Sequence, residues 1–411
     1  MSGADGVEGQ RLAHVRARAG GPLPLGPGAP APAGMVRLTW PDSTGQALPA
    51  WPDGATPALL EEYQVAPAAV ERAGETRRVL AAVLKCCWSD LSADPWPGSP
   101  APVELVLDTY RALIGRTDDL MRNWAVGALR RLHDSAWIVL DDGVVVLGPR
   151  CALWPVEAHA QLKELVRRLP SPERPELTVV GDADIVAAAA PDPAGGGAGG
   201  RAEPADAEFG DLLGAYDERR RAELVAAFMV VEHAAEPVQE VRFAALRDPA
   251  LRHTLGEMLA RRGRVLIQHR DRWTSGYDDA CAAALAGAGP VMGVAERAVL
   301  TLVLVHSVAI PRAEGLLPED SWSSPHPTPG DELRRHTQLP IGELEAALRT
   351  LRHAGLLAQV KAGEEAGGYV PGPQFHRLTP AARRRLQEEL ILAAGPNTPL
   401  AAAVRARRSA T

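Results

Sequence analysis

The sequence predicts an α+β fold that is mainly helical, with small β-hairpins. Two segments, one toward each end of the chain, repeat the order of several helices followed by a pair of β-rich runs. Residues 188–207, AAAPDPAGGGAGGRAEPADA, have the composition of a flexible linker. Residues 208–290 show apolar side chains at helical spacing, which predicts a helical block between the two similar segments.

These breaks divide the chain into six parts. The expected parts are a mostly disordered Gly/Pro/Ala-rich tail at 1–57, an N-terminal domain at 58–187, a flexible linker at 188–207, a helical connecting or dimerisation block at 208–290, a C-terminal domain at 291–395 and a flexible tail at 396–411. A short strand at Met35–Trp40 is the one element expected in the N-terminal tail.

The elements of the N-terminal domain follow from periodicity and turn signals. Apolar residues of 76–91 fall on one helical face, and further helices are predicted at 103–114 and at about 118–134. Asp142-Gly143 separates two β-rich runs, which is a strong signal for a two-residue hairpin. The predicted order is therefore three helices and then a hairpin.

The C-terminal domain repeats this order. Helices are predicted at 294–309, at about 330–337 and at about 341–354, and Gly355 suits the position after a helix end. Strands are predicted at 356–361 and 369–378. Thr379-Pro380 then supplies an N-cap and a first-turn proline for a last helix.

The run LEAALRTLRHAGLLAQV, followed by FHRLTPAARRRL, resembles the winged helix of MarR-like and PadR-like bacterial regulators over residues 325–395. In those families a Gly-Leu step leads into the wing and a Leu-Thr-Pro step opens the next helix. The chain departs from them in its longer loop at 311–330 and in Ala382, where glycine is frequent. Together with the repeated order, the resemblance implies two winged-helix domains separated by a flexible linker and a helical middle block.

A winged helix binds DNA by placing its recognition helix in the major groove and its wing on phosphates. We predict DNA contacts from Arg122, Asn123, Arg130 and Arg131 in the N-terminal domain, and from Arg334, Arg335 and Gln338 in the C-terminal domain. Glu343 and Glu345 oppose this function, because they lie in the leading turn of the C-terminal recognition helix, where they repel phosphate.

The densest basic run inside a folded block is 261–272, RRGRVLIQHRDR. Its arginines form a possible patch for phosphate or an acidic partner, and they are Arg261, Arg262, Arg264, Arg270 and Arg272. The alternative is that this run is only a solvated helix end.

Composition limits the function classes. The net charge of −7 excludes an overall basic footprint for nucleic acid. Three of the 44 basic residues are lysines, which is typical of a GC-rich genome such as that of an actinobacterium. Four cysteines without CxxC spacing and eleven scattered histidines predict no metal site, no cofactor and a reducing cytoplasm. No membrane span is expected, because the most apolar helix, at 294–310, carries charged residues.

The sequence contains no HExxH, GxSxG or GxxxxGK[ST] motif, so we predict a protein that is not an enzyme. One hypothesis is a bacterial transcriptional regulator that binds DNA, as a monomer or a homodimer. The other is an acidic winged-helix scaffold or adaptor subunit that binds protein in a multiprotein complex, for example an SMC-type chromosome or defence complex.

Overall fold

The structure, a computed structural model, is a mixed α and β protein with small antiparallel sheets. It describes residues 3–26, 28–39, 44–52, 55, 74–115, 119–134, 136–153, 156–170, 208–234, 236–286, 292–319, 321–360 and 367–409. Two compact units, Met1–Met229 and Val230–Thr411, divide inside the helix Glu218–His233. The predicted linker at 188–207 lies outside the described residues.

The first unit begins with ordered secondary structure, where a mostly disordered tail at 1–57 was expected. Its elements are helix α1 (Gly3–Gly20) and strands β1 (Leu23–Leu25), β2 (Met35–Thr39) and β3 (Gly45–Pro49), paired antiparallel in the order β1-β3-β2. Strand β2 is the strand expected at Met35–Trp40. The tail prediction was wrong for this segment because each strand is too short to show a period amid Gly and Pro. Ala17, Met35 and Ala47 form the buried cluster that holds the helix on the sheet.

The predicted N-terminal domain contains helices and a hairpin in the expected order. Its elements are α2 (Gly74–Cys87), β4 (Ala101–Pro102), α3 (Val103–Ile114), α4 (Asp119–Asp134), β5 (Ile138–Asp141), β6 (Val144–Leu147) and α5 (Val156–Arg168). Asp142 and Gly143 both have positive φ, as the predicted two-residue turn requires. The short strand β4 was not predicted, and it pairs with β6 to give the sheet order β4-β6-β5.

One hydrophobic core unites this part of the chain. Val83 and Leu84 from α2 pack with Leu129 and Leu132 from α4 and with Trp137 at the start of the hairpin. Each of these side chains is at most 3% exposed, so the apolar face predicted for residues 76–91 is buried.

The middle block was predicted to be helical throughout. The structure shows that it also contains a three-stranded sheet. Its elements are α6 (Gly210–Leu213), α7 (Glu218–His233), β7 (Val238–Gln239), α8 (Ala244–Arg247), α9 (Pro249–Arg261), β8 (Arg264–His269), β9 (Arg272–Tyr277) and α10 (Asp279–Ala286), with the sheet order β7-β9-β8. Gly263, with φ of +66°, separates α9 from β8. Arg270, with φ of +58°, occupies the tight turn between β8 and β9, a position that an arginine does not signal in sequence.

The C-terminal segment has the predicted order with different strand lengths. Its elements are α11 (Val294–Leu304), a π-helical turn (Val305–Ala309), α12 (Ile310–Ala313), α13 (Gly330–His336), α14 (Ile341–His353), β10 (Leu357–Val360), β11 (Gly368–Pro371), α15 (Pro380–Ala394) and α16 (Pro399–Ser409). The predicted caps are confirmed: Gly355 has φ of +70°, and the Thr379 side chain accepts a hydrogen bond from the Ala382 backbone N–H. Helix α16 replaces the flexible tail expected at 396–411, and Arg407 and Arg408 tie it to Glu388.

The same order of elements occurs three times, not twice as predicted. Each occurrence has a helix, a short strand, two helices and a hairpin whose second strand pairs with the short strand. The first gives the order β4-β6-β5 and the second β7-β9-β8. In the third, the short strand is reduced to one bridge from Thr328 to Tyr369 in β11. The middle occurrence was missed because its first strand and second helix are only two and four residues long.

Within the second unit, the middle and C-terminal segments pack directly together. The Arg377 guanidinium donates to the backbone carbonyls of Ser275, at 2.6 Å, and Ala234. The Thr379 hydroxyl donates to Asp279 at 2.7 Å. Position 276 must be glycine, because a Cβ there would lie 1.9 Å from the Arg377 carbonyl oxygen. The boundary predicted near residue 290 therefore does not separate independently packed parts.

Among the described residues, one continuous helical segment, Val294–Ala313, is long and apolar enough to cross a membrane. Core helices of globular proteins meet the same criterion. Val299 and Val303 of this segment pack against α13 and α14 in a shared hydrophobic cluster, which accounts for its apolar character.

Candidate nucleic-acid interface

Helix α4 presents the N-terminal group of predicted DNA-binding residues. Met121, Ala125 and Ala128 pack inward, together with Leu129 and Leu132. This spacing leaves the opposite face to solvent, because residues three and four apart share one side of a helix. Arg122, Asn123, Trp124 and Arg130 are exposed there. The apolar spacing of this helix predicts that Trp124 packs inward with Leu129 and Leu132, but its side chain is exposed.

Arg122 is engaged by a carboxylate of the neighbouring helix. Its two terminal nitrogens donate to both oxygens of Glu104 on α3, at 2.9 and 2.6 Å. This hydrogen bond lowers the pKa of Glu104, and the positive charge of Arg122 adds to the effect. Both side chains remain largely solvated, and exposed ion pairs contribute only about 0–1 kcal/mol. A phosphate could therefore compete for Arg122, but the arginine adds no net positive charge to the face.

The two following arginines of α4 have different surroundings. Arg131 is partly buried and donates to the Thr76 hydroxyl of α2 at 3.1 Å, so it contributes to helix packing. Arg130 and Asn123 are exposed. The favourable DNA chemistry of α4 is therefore concentrated in two side chains, whereas four were predicted.

Trp124 is the large apolar group on this face, and it is 51% exposed. An exposed tryptophan buries a large apolar area when a partner covers it, and tryptophan is enriched among residues that dominate protein interfaces.

The C-terminal predicted residues lie on α13 and in the turn that follows. Arg334 pairs with Asp331 one turn earlier on the same helix. Arg335 and Gln338 are exposed. The structure thus places all three near the start of α14, and one of them is paired with a carboxylate.

Helix α14 buries one face and presents another with little DNA-binding chemistry. Leu344, Ala347, Leu348 and Leu351 pack inward against α11 and α13. The outward leading turn carries Glu343 and, in the next turn, Glu345, both exposed as expected. Ile341, the first residue of the helix, is 63% exposed. Base-edge recognition needs hydrogen-bond donors and acceptors, and phosphate contacts need positive charge. The leading end of α14 carries carboxylate acceptors but no positively charged side chain.

The predicted basic patch at 261–272 is not a surface patch. Arg262 is 5% exposed and lies 3.5 Å from a Glu232 oxygen. Arg264 is 3% exposed, donates to the Ser275 hydroxyl and carbonyl, each at 3.0 Å, and stacks over Tyr277. The run was misread because it crosses from α9 through a turn into β8, and the alternation of the strand turns Arg264 inward.

The remaining arginines of that run have separate positions. Arg261 is partly buried at the end of α9, whereas Arg270 and Arg272 are exposed in and beside the hairpin turn. The sequence predicted a patch of five arginines. The structure exposes only two of these five, Arg270 and Arg272, at the tip of one hairpin.

Three side chains that were not selected from sequence come together in the C-terminal segment. His306, Glu332 and His336 place their ligand atoms within 4.8 Å of one another. Glu332 and His336 are four residues apart on α13, a spacing that sequence reasoning could have found. The third member, His306, comes from the π-helical turn, and its proximity depends on the tertiary fold.

Comparison with known proteins found no matching family model, no matching curated protein and no matching solved structure.

Proposed function

We propose that this chain is a non-enzymatic adaptor with three winged-helix units that binds a partner protein through the outward faces of α4 and α14. The fold part of this proposal is supported by the order of elements. In each unit a helix, a strand, two helices and a hairpin follow one another, and the hairpin pairs with the first strand. The hairpins correspond to wings, and α4, α9 and α14 correspond to recognition helices.

The observation that carries the adaptor function is the exposure of large apolar residues on these helices. Trp124 is 51% exposed and Ile341 is 63% exposed, where a DNA reader would need polar or positive groups. Burial of an apolar side chain of this size contributes about 1.5–3 kcal/mol. Two such anchors on separate faces suit a protein that holds a partner at more than one point.

The charge distribution supports the same proposal. The net charge is −7, and Glu343 and Glu345 are exposed on α14. Three arginines that the sequence predicted for phosphate or DNA are paired with Glu104, Asp331 and Glu232. Acidic tandem winged-helix proteins that bind other subunits in SMC-type complexes combine this fold with protein contacts, and the present chain is similar in those respects.

Affinity purification of the full chain from its source organism tests the adaptor function. We expect a specific protein partner to be captured by the wild type and reduced at least 10-fold by Trp124→Ser or Ile341→Ser. Val294→Ser is the matched control, because Val294 is also the first residue of a helix and is 74% exposed. Equal capture by all four proteins would refute a role for these two residues.

DNA binding by α4 is the second candidate function. Asn123 and Arg130 are exposed on one helix, and Arg335 and Gln338 are exposed near another. Asparagine and glutamine can recognise adenine, and arginine can bind guanine or phosphate. These side chains support contact with DNA by a bacterial regulator, but they are fewer than the seven predicted from sequence.

Fluorescence anisotropy with fragmented genomic DNA at about 50 and 200 mM salt tests this candidate, because each neutralised phosphate adds about 0.9 to the salt slope. If α4 holds DNA, Arg130→Ala should lower the slope by about 1, and Arg167→Ala on α5 should not change it. No binding at either salt concentration would eliminate DNA contact and leave the adaptor function.

A further inference from the structure

The C-terminal segment contains a cluster of metal-ligating side chains that the proposed adaptor function does not use. His306 lies in the π-helical turn Val305–Ala309, and Glu332 and His336 lie on α13. The Nδ1 atom of His306 is 3.3 Å from a carboxylate oxygen of Glu332. The rings of His306 and His336 are 5.3 Å apart between centroids. Two imidazoles and one carboxylate therefore face one point between the two helical elements.

The distances suit a tetrahedral ion. Zinc binds imidazole nitrogen and carboxylate oxygen at about 2.0–2.2 Å, so two ligand atoms of a tetrahedral site lie roughly 3.3 Å apart. The His306–Glu332 distance already has this value. All three ligand atoms lie within 4.8 Å of one another, and His336 is exposed. A side-chain rotation of His336 can therefore close the remaining gap without moving the backbone.

The π-helical turn fixes the direction of His306. Ser307, the next residue, is fully buried, contacts the Thr328 hydroxyl at 2.9 Å and donates to the Tyr369 carbonyl at 3.2 Å. These contacts anchor the turn against the bridge between Thr328 and β11. Short π-helical turns inside α-helices are frequent at functional sites, because the extra residue redirects side chains. His306 is thus held by its neighbour toward α13.

We propose that His306, Glu332 and His336 form a binding site for a divalent transition-metal ion of the zinc class. Two neutral imidazoles and one carboxylate favour zinc and similar ions over Mg²⁺ and Ca²⁺, which prefer oxygen ligands. Three protein ligands leave a fourth position, and the exposure of His336 opens it to water. The ion links the π-helical turn to α13. Arg334 and Arg335 lie on α13 between the two ligands of that helix, Glu332 and His336, so ion binding stabilises the helix that carries both arginines.

The buried cysteines do not compete for the ion. All four cysteines are buried, and burial raises the pKa of Cys87 to about 12 and also raises that of Cys151. A thiol must lose its proton to bind zinc. The Cys87 and Cys151 thiols are therefore not expected to bind Zn²⁺, and burial also keeps Cys86 and Cys281 from ions in solution.

Competition of the full-length, tag-free protein with a chromogenic chelator for Zn²⁺ tests the site. We expect one ion per chain and a visible spectrum of tetrahedral Co²⁺ when Co²⁺ is used as the probe, whereas Mg²⁺ should not compete. His306→Ala, Glu332→Gln and His336→Ala should each weaken Zn²⁺ binding by more than about 100-fold, because loss of a second-shell partner alone costs 10–100-fold. Zn²⁺ should also raise the melting temperature of the wild type but not of these variants.

His253→Ala is the matched control. His253 and Glu257 are also four residues apart on an exposed helix face, with 3.8 Å between them, but no third ligand joins them among the residues that the structure describes. The control should bind Zn²⁺ like the wild type. His336 is exposed, so His336→Ala should keep its metal-free melting temperature and separate loss of a ligand from loss of folding. Absence of Zn²⁺ binding by the wild type, or equal binding by His336→Ala, would overturn the proposal.

Discussion

Gly276→Ala tests the packing of the middle segment against the C-terminal segment. Gly276 lies in β9, where a Cβ would be 1.9 Å from the Arg377 carbonyl oxygen and 2.9 Å from Cδ1 of Ile267. Contact between a Cβ and a backbone atom at this distance is impossible, so the Pro373–Arg377 turn must move. That movement withdraws the Arg377 guanidinium from the Ser275 carbonyl, which it contacts at 2.6 Å.

The size of the effect follows from three contributions. Overpacking of a filled interior costs about 1–3 kcal/mol. Loss of a hydrogen bond from a charged donor costs about 1.5–3 kcal/mol. The lower entropy of the unfolded alanine variant offsets about 0.4–1 kcal/mol. We expect a net loss of about 3 kcal/mol in local stability, which corresponds to a roughly 100-fold increase in local opening.

Hydrogen-exchange mass spectrometry measures this opening directly. Amides of 264–277 and 373–377 should exchange roughly 100-fold faster in Gly276→Ala than in the wild type. Gly256→Ala is the matched control, because Gly256 lies in α9 and a methyl group there would meet no neighbouring atom within 4 Å. That helix substitution should stabilise the protein by about 0.5–1 kcal/mol. Unchanged exchange of β8 and β9 in Gly276→Ala would refute the contact between the two segments.

Two other predictions concern a core leucine of the first compact unit and a half-buried histidine of the second. Leu132→Ala should lower the unfolding free energy of the first compact unit by about 2–5 kcal/mol in urea denaturation, because Leu132 is fully buried. Leu165→Ala on α5 is the control, and it should lower this free energy by less than about 1 kcal/mol because Leu165 is exposed. Burial, with the nearby His269 and Arg383, lowers the pKa of His376 to about 4. Since the unfolded-state pKa is about 6.5, the unfolded state takes up the proton first, so stability is greatest above pH 6.5 and falls as the pH drops to 4. His376→Gln should flatten this dependence in thermal melts at pH 4–7, and a slope like that of the wild type would contradict the assignment.

Local signals made much of the helical structure predictable. The apolar faces of α2, α4 and α14 follow from residues three and four apart, which depend only on helix geometry. Gly355 and Thr379 act at helix ends through their own backbone and side-chain preferences. These features need no information from distant parts of the chain. The structure confirms the two helix ends, whereas on α4 it leaves Trp124 exposed.

The small sheets were less predictable because their pairing is non-local. Strand β3 pairs with β1 across more than twenty residues, and β7 pairs with β9 across a pair of helices. Strands of two to six residues give a short alternation that a charged residue interrupts. Arg264 is such a residue: it is buried in β8 because Ser275 on the paired strand accepts its hydrogen bonds. A sequence pattern cannot show that a buried arginine has a hydrogen-bond acceptor on the neighbouring strand.

The candidate sites also combine features that local sequence predicts with features that only tertiary packing creates. The outward positions of Arg122 and Arg130 were predictable from helix periodicity, but the pairing of Arg122 with Glu104 depends on how α3 crosses α4. The spacing of Glu332 and His336 is visible in sequence. The approach of His306, which makes this pair a possible metal site, results from tertiary packing.

The three repeats of the element order present different side chains on their corresponding helices α4, α9 and α14, and this difference bears on function. The outward face of α4 combines Asn123 and Arg130 with Trp124, whereas α14 begins with Ile341 and two glutamates. Helix α9 exposes His253 and Glu257. A protein that placed α4, α9 and α14 on one duplex would need positive charge on each, because every phosphate contact depends on it. The proposed adaptor needs only a distinct surface on each helix, so the variation among the three faces favours several protein contacts over repeated DNA contacts.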